Sequence, residues 1–174
     1  MGVSMTGAML SSSYLSIMQA RSADDFRGQI IRFANELGFQ YVSALTVVDH
    51  SLTRSDFVSV DNMPVDYREA GASAADNQRR DPVMQHCKRG AVPLVWDQET
   101  YLRNGAIDLW EEQATFGYRT GIALALHLPE GRHFMLGVDR DQTLPKQAGE
   151  LTRMVADLQL FAVHAQDTAL RLFL

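Results

Sequence analysis

The chain has 174 residues, of which 46% are hydrophobic and 21% charged, a composition that fits one globular domain with its own core rather than a disordered chain. No apolar run approaches the roughly 20 residues needed to cross a bilayer, and the single cysteine, Cys87, cannot form an internal disulfide, which fits a cytoplasmic protein. With 16 basic and 21 acidic residues, the net charge of -5 predicts poor binding of nucleic acid by this chain alone.

Two helices are predicted at the start of the chain. Residues 1–13 are small and polar, and we expect them to be frayed, whereas residues 14–18 favour a short docking helix. Ser22 is a suitable N-cap for a longer helix that ends at Gly38. That helix would bury one apolar stripe, formed by Phe26, Ile30, Phe33, Ala34 and Leu37.

A hairpin and irregular helices are predicted next. Residues 41–48 and 57–60 are rich in β-branched and aromatic side chains, which indicates two paired strands. The alanine-rich segment 64–75 favours an irregular helix over the sheet. Asp81 followed by Pro82 is typical of a helix start, and residues 93–96 indicate a short extended link.

The last third of the chain predicts a helix over residues 107–116, a hairpin of strands 121–128 and 133–139, and a long final helix after Pro145. The final helix has a second apolar stripe, which needs a partner of its own: Leu160, Val163, Leu170 and Leu174. This order of elements predicts an α+β fold, with an antiparallel sheet of at least four strands between helical layers.

Signatures of catalysis and of metal binding are missing from the sequence. There is no glycine-rich phosphate loop, paired-cysteine zinc spacing or nucleophile elbow, so we expect no enzyme. His127 and His133 flank a hairpin turn without a third ligand, which predicts no metal site. The first six residues match an N-myristoylation pattern, but no polybasic segment accompanies it, and we expect no membrane anchor.

Aromatic and hydrogen-bonding side chains are dense between residues 62 and 110. They are Tyr67, Asp81, Trp96, Tyr101 and Trp110. Composition alone favours an aromatic core for such a set, and the alternative is a ligand pocket with apolar walls and a few polar groups. Asp81 favours the pocket modestly, because an aspartate is seldom buried without a partner.

The same region resembles the autoinducer-binding domain of LuxR-type quorum-sensing regulators. The resemblance lies in residues 62–67 (NMPVDY), Asp81-Pro82-Val83, residues 93–96 (PLVW) and residues 111–114 (EEQA), with Gly117 and Gly121. It implies a three-layer α-β-α sandwich with a central antiparallel sheet of about five strands. It also implies a homodimer that binds an N-acyl homoserine lactone and needs no cofactor. DNA would be bound only through a helix-turn-helix domain, which we expect to be absent from this single sensor domain of residues 1–174.

The resemblance also implies the roles of individual residues. Asp81 would accept the ligand amide N–H, and Tyr67 stands where the family usually has a tryptophan that donates to the ring carbonyl. Trp96, Tyr101, Leu109 and Trp110 would wall the lactone. The remaining pocket and the channel for the acyl tail would be lined by Ser43, Leu45, Val47, Val83, Ala123 and Met135.

Two departures from the family pattern remove hydrogen-bond donors from this predicted site. Met63 replaces a common tyrosine, and Gly137 replaces a frequent serine or threonine. Three hypotheses therefore stay open: a lactone sensor, a sensor of another small molecule on the same fold, and a ligand-free antagonist that dimerises with a full-length regulator. Only the first two need an internal cavity.

Overall fold

The structure, a computed structural model, describes residues 12–71 and 74–174. Its strands there are β1 (Tyr41–Asp49), β2 (Ser55–Asp61), β3 (Leu94–Trp96), β4 (Thr120–Leu128) and β5 (Arg132–Arg140). Its helices there are α1 (Ser12–Met18), α2 (Ala23–Leu37), α3 (Val65–Glu69), α4 (Ala75–Arg80), α5 (Pro82–Arg89), α6 (Gln98–Arg103), α7 (Ile107–Ala114) and α8 (Ala148–Phe173). The first six residues, which match the N-myristoylation pattern, lie outside the described residues.

The strands form one antiparallel sheet in the order β2-β1-β5-β4-β3. The two predicted hairpins, β1–β2 and β4–β5, are joined through the pairing of β1 with β5. Residues 93–96, predicted as an extended link, instead provide the edge strand β3, because Leu94, Val95 and Trp96 pair with β4. The predicted α+β sandwich is confirmed, with a sheet of five strands.

One face of the sheet packs against α1, α2 and α8 to form the main core. The strands present large apolar side chains to this layer, among them Ile122, Leu124, Phe134, Leu136 and Val138, all fully buried. Phe33 of α2 and Phe161 of α8 stack with ring centroids 3.8 Å apart. The predicted stripe of α2 thus packs against the final helix as well as the sheet.

Capping residues explain where α2 begins and ends. The Ser22 hydroxyl accepts a hydrogen bond from the Asp25 backbone N–H at 3.1 Å, and Gly38 ends the helix in the left-handed region with φ of 100°. Both residues match the predicted bounds of the helix. Ser12 and Ser13, predicted to be frayed, instead begin α1, where the Ser13 hydroxyl donates to Glu36.

The other face of the sheet is covered by the short helices α3 to α7, and here the sequence predictions need correction. The irregular helix predicted over residues 64–75 is the short helix α3, which ends at Glu69, and a separate helix that was not predicted, α4, begins at Ala75. Residues 72 and 73 lie outside the described ranges. Helix α6 was not predicted, although Asp97 and Thr100 form a reciprocal capping box that marks its start. In the described part of the chain, no helix is long and apolar enough to span a membrane.

Two glycine substitutions test how closely this second layer approaches the sheet. A Cβ atom on Gly121 would collide with the Val138 carbonyl oxygen and lie 2.7 Å from Trp96 Nε1. We expect Gly121→Ala to lower the free energy of unfolding by about 1–3 kcal/mol. Gly28→Ala is the matched control, because Gly28 lies in α2 with no heavy atom near the added Cβ; it should stabilise by about 0.5–1 kcal/mol. Equal effects of the two substitutions in chemical denaturation would contradict the close approach of Trp96.

Candidate ligand-binding site

A cavity of about 670 Å³ lies between the sheet and the layer of short helices. Its floor is made of small side chains, because Ser43, Gly137 and Ala123 are register neighbours across β1, β5 and β4. The opposite face of the same strands carries large core residues. The alternation of strand side chains therefore gives one filled face and one hollow face.

The predicted site residues, with one exception, line this cavity. They are Ser43, Leu45, Val47, Met63, Tyr67, Asp81, Val83, Trp96, Tyr101, Leu109, Ala123, Met135 and Gly137. Ser43, Leu45 and Val47 alternate with residues facing the other layer, as the strand pattern predicted.

Trp110 is the exception and does not line the cavity. Its Nε1 donates a hydrogen bond to the Arg119 carbonyl oxygen at 2.9 Å, and the Arg119 guanidinium lies 5.8 Å from the ring centroid. Consecutive residues on a helix point about 100° apart, so Leu109 faces the cavity and Trp110 turns away from it.

Asp81 combines two roles at the cavity wall. It is the N-cap of α5, since its Oδ1 accepts the Val83 N–H at 2.8 Å, and the same oxygen accepts the Tyr101 hydroxyl at 3.0 Å. Burial raises the pKa of Asp81, and these two donors oppose that rise by stabilising its ionised form. The Met84 backbone N–H is a third donor to this carboxyl, and an ionised carboxylate with about four acceptor sites keeps capacity for one more hydrogen bond.

Asp139 is a second carboxyl group in the cavity, and it was not predicted. It lies on β5 two residues beyond Gly137, on the same side of the strand. Burial raises the pKa of Asp139 to about 8, with a further contribution from the negative charge of Asp81. The strand period of two, applied to the predicted Met135 and Gly137, was the signal that would have found it.

Stacked aromatic rings form the wall at the Asp139 end. Tyr118, which was also not predicted, lies between Tyr41 and Tyr67, with ring centroids 4.5 Å and 4.6 Å away. The Tyr67 ring also stacks on Phe116 at 4.9 Å. Burial raises the pKa values of Tyr67 and Tyr118 well above the usual range, so both hydroxyls remain protonated donors.

The rest of the cavity is mainly apolar. Leu45, Val47 and Met135 from the sheet face Met84 and Cys87 from α5. Burial raises the pKa of the Cys87 thiol to about 11, so Cys87 is a small apolar wall residue rather than a reactive thiolate. Phe57 lines the cavity and is 70% exposed, which places it at the rim.

The two histidines that flank the turn between β4 and β5 contact each other outside the cavity. The Nδ1 atoms of His127 and His133 lie 2.8 Å apart, and the outer nitrogens contact the Cys87 carbonyl oxygen and Asp49. Within residues 12–71 and 74–174, no group of three or more histidine, cysteine or acidic side chains is arranged to hold a metal ion.

The comparisons with known proteins agree with this architecture. The family model described as the autoinducer binding domain matches residues 22–169. CepR2 from Burkholderia cenocepacia, described as an N-acylhomoserine lactone dependent LuxR family factor, superposes with a TM-score of 0.76 at 23% identity, covering 91% of each chain. A structure of SdiA in complex with octanoyl-rac-glycerol gives a TM-score of 0.77 at 21% identity, covering 98% of this chain and 68% of that one.

Among named sequences, the transcriptional activator AhyR of Aeromonas hydrophila is 26% identical over 109 residues, which are 60% of this chain and 42% of AhyR. The chain spans about half the length of the curated relatives that it matches. These relatives are transcriptional regulators rather than enzymes. The chain belongs to the autoinducer-binding domain family of LuxR-type transcriptional regulators.

The raised pKa of Asp139 predicts a pH-dependent stability. The folded state holds a proton up to about pH 8 that the unfolded chain releases near pH 4, so the free energy of unfolding should fall as pH rises from 5 to 8. Asp139→Asn cannot ionise and should remove this slope. The melting temperature of the variant should therefore exceed that of the wild-type protein by more at pH 8 than at pH 5. Asp167→Asn, on an exposed part of α8, is the control for loss of a carboxyl group. A wild-type slope that persists in Asp139→Asn would contradict the prediction.

Proposed function

We propose that this domain binds an N-acyl homoserine lactone in its cavity, and that this binding controls transcription within a longer LuxR-type regulator. The observation that supports the proposal is a cavity of about 670 Å³ with carboxyl and phenol groups at one end and apolar side chains at the other. An acyl amide matches this distribution, since its polar head needs hydrogen bonds and its tail needs apolar walls. The proposal assigns binding, with no catalytic step and no cofactor.

Asp81 and Tyr67 have the main roles in this proposal. The ligand amide N–H would be accepted by the Asp81 carboxylate, which keeps an acceptor site beyond its bonds to the protein. The Tyr67 hydroxyl, kept protonated by its burial, would donate to the ring carbonyl. Trp96 and Tyr101, whose rings meet edge to face at 5.6 Å, would form the wall beside the ring.

A different small molecule is the second candidate ligand. Met63 and Gly137 supply no side-chain donor to the cavity, and SdiA is described in complex with octanoyl-rac-glycerol. Both observations favour testing acyl esters beside lactones. The cavity also argues against the ligand-free antagonist, which has no use for an open interior.

Ligand binding should stabilise the fold, because a ligand that binds only the native state shifts the unfolding equilibrium by about 2.7 kcal/mol at a hundredfold excess over its Kd. We expect at least one member of a panel of short, long and 3-oxo lactones to raise the melting temperature by several degrees. Mass spectrometry of an organic extract, from protein purified out of cells fed the same panel, identifies the retained member. If no lactone of the panel raises the melting temperature, the proposal that the ligand is a lactone is wrong.

The role of Asp81 is separable from its capping of α5. Asn caps a helix as well as Asp does, so Asp81→Asn should keep the ligand-free melting temperature. Losing the charged acceptor should weaken lactone affinity about tenfold or more. The control ligand is the ester analogue of the same lactone. It lacks the amide N–H and should bind the wild-type protein and Asp81→Asn with equal affinity. An equal loss for amide and ester would show that Asp81 does not bind the N–H.

Dimerisation through α8 is part of the proposal. Leu160 and Val163 of the predicted second stripe are 44% and 47% exposed, and Leu174 is exposed as well, whereas Leu170 is half-buried. Apolar side chains that the described layers leave uncovered on one helix favour a self-complementary contact between two copies.

Two charge-adding variants test this contact. We expect Leu160→Glu with Val163→Glu to give monomers in sedimentation, because a dimer would bury the added charges. Thr53→Glu with Gln98→Glu adds the same charge at exposed polar positions away from α8 and should leave the dimer intact. An unmutated protein that sediments as a monomer at high concentration would contradict the proposed interface.

A further inference from the structure

Asp139 lies in the cavity floor, in a row of four residues that pair across the sheet. Across the sheet it pairs with Tyr41 on one side and with Gly121 on the other, and Gly121 pairs with Trp96. Because Gly121 has no side chain, the Trp96 indole lies directly against the backbone there. The Asp139 carboxyl is therefore framed by Tyr41 and Trp96, and it faces the same cavity as Asp81.

The two carboxyl groups differ in what the protein offers them. Asp81 accepts hydrogen bonds from the Val83 N–H and the Tyr101 hydroxyl. Among the described residues, no group makes a hydrogen bond or an ion pair to the side-chain carboxyl of Asp139. Arg68 is the cation among the described cavity-lining residues, and it is paired with Asp61 at 2.7 Å. No unpaired cation among the described cavity-lining residues compensates a negative charge on Asp139.

We propose that Asp139 is a ligand-binding residue that stays a neutral carboxylic acid and donates its O–H to a carbonyl oxygen of the ligand head group. The proposal rests on the proposed function, because it needs a carbonyl-bearing ligand in this cavity. It adds a donor that the family resemblance did not supply, at the end of the cavity where Met63 and Gly137 leave donors missing.

The surroundings of Asp139 keep it neutral. Two carboxyl groups in one dry site do not both ionise readily, and the charge resides on the one with more donors. Here that carboxyl is Asp81, and burial together with its charge raises the pKa of Asp139 to about 8. None of the other titratable groups that face this end is a cation; they are Tyr41, Asp61, Tyr67, Tyr101, Glu112 and Tyr118.

A neutral acid at this position determines which head groups fit. A lactone ring presents only acceptor oxygens at its carbonyl end, and these match a donated O–H. An ionised Asp139 would instead prefer a protonated amine, which aromatic walls such as Tyr67 and Trp96 also accommodate. The two alternatives predict opposite dependence of affinity on pH, which makes them separable.

The test is the affinity of N-octanoyl homocysteine thiolactone between pH 6 and 9. This probe keeps the amide and the ring carbonyl and hydrolyses more slowly than the lactone at high pH. For the wild-type protein we expect constant affinity up to about pH 7 and a loss of about tenfold by pH 9, as Asp139 ionises. Asp139→Asn keeps an N–H donor that does not titrate and should show no slope, whereas Asp139→Ala should bind weakly at every pH.

Three results would overturn the inference: a wild-type affinity that rises with pH, a slope that Asp139→Asn retains, or full affinity in Asp139→Ala. Asp167→Asn is the control and should keep the wild-type slope.

A ligand-free measurement separates this inference from the proposed function. The infrared difference spectrum between wild type and Asp139→Asn at pH 6.5 should contain the C=O band of a protonated carboxyl, and the band should fall to about a tenth of its intensity by pH 9. If no thiolactone or lactone binds, the proposed function fails, and the donor role at a ligand carbonyl fails with it, even where the band is present. If a ligand binds and the band is absent at pH 6.5, only the assignment of Asp139 fails.

Discussion

The unequal size of side chains on the two faces of the sheet is the constraint on which the rest of the structure depends. Phe134, Leu136 and Val138 of β5 fill the layer beneath α2 and α8, while Met135, Gly137 and Asp139 of the same strand face the cavity. A packed face supplies the stability that a hollow face lacks, since unfilled volume forfeits dispersion contacts. The filled layer thus allows the other side of the sheet to remain open.

The helices over the hollow face are held by two small apolar clusters and by polar contacts, and they do not share the main core. Asp81 connects the start of α5 to Tyr101 of α6, and the carbonyl oxygen of Cys87 near the end of α5 contacts His127 of β4. Such contacts fix the helices at a distance from the sheet without filling the space between them. A ligand that reaches Asp81 would therefore contact the same carboxyl that joins two of the covering helices.

Much of this arrangement follows from local sequence signals. Ser22 and Gly38 bound a helix because capping is a property of adjacent residues, and the alternation of side chains in β1 is enough to predict that Ser43, Leu45 and Val47 share one face. The sequence predictions that were wrong concern features that depend on how separate elements pack together. The pairing of β3 depends on β4, which is remote in sequence, and the exclusion of Trp110 depends on the rotation of α7 and on the carbonyl of Arg119.

Asp139 shows why the polar end of the cavity was the part least accessible to sequence reasoning. Family resemblance transfers roles only to matching positions, so it recorded the donors missing at Met63 and Gly137 but could not place a new polar group two residues farther along β5. An aspartate in a strand also suggests a solvated face. Its inward position follows from the strand period of two, counted from Met135 and Gly137, once β5 is known to have its alternate residues in the cavity. Asp139 lines the same cavity as Asp81, and the pair of carboxyl groups, rather than either one, determines which protonation state a head group meets.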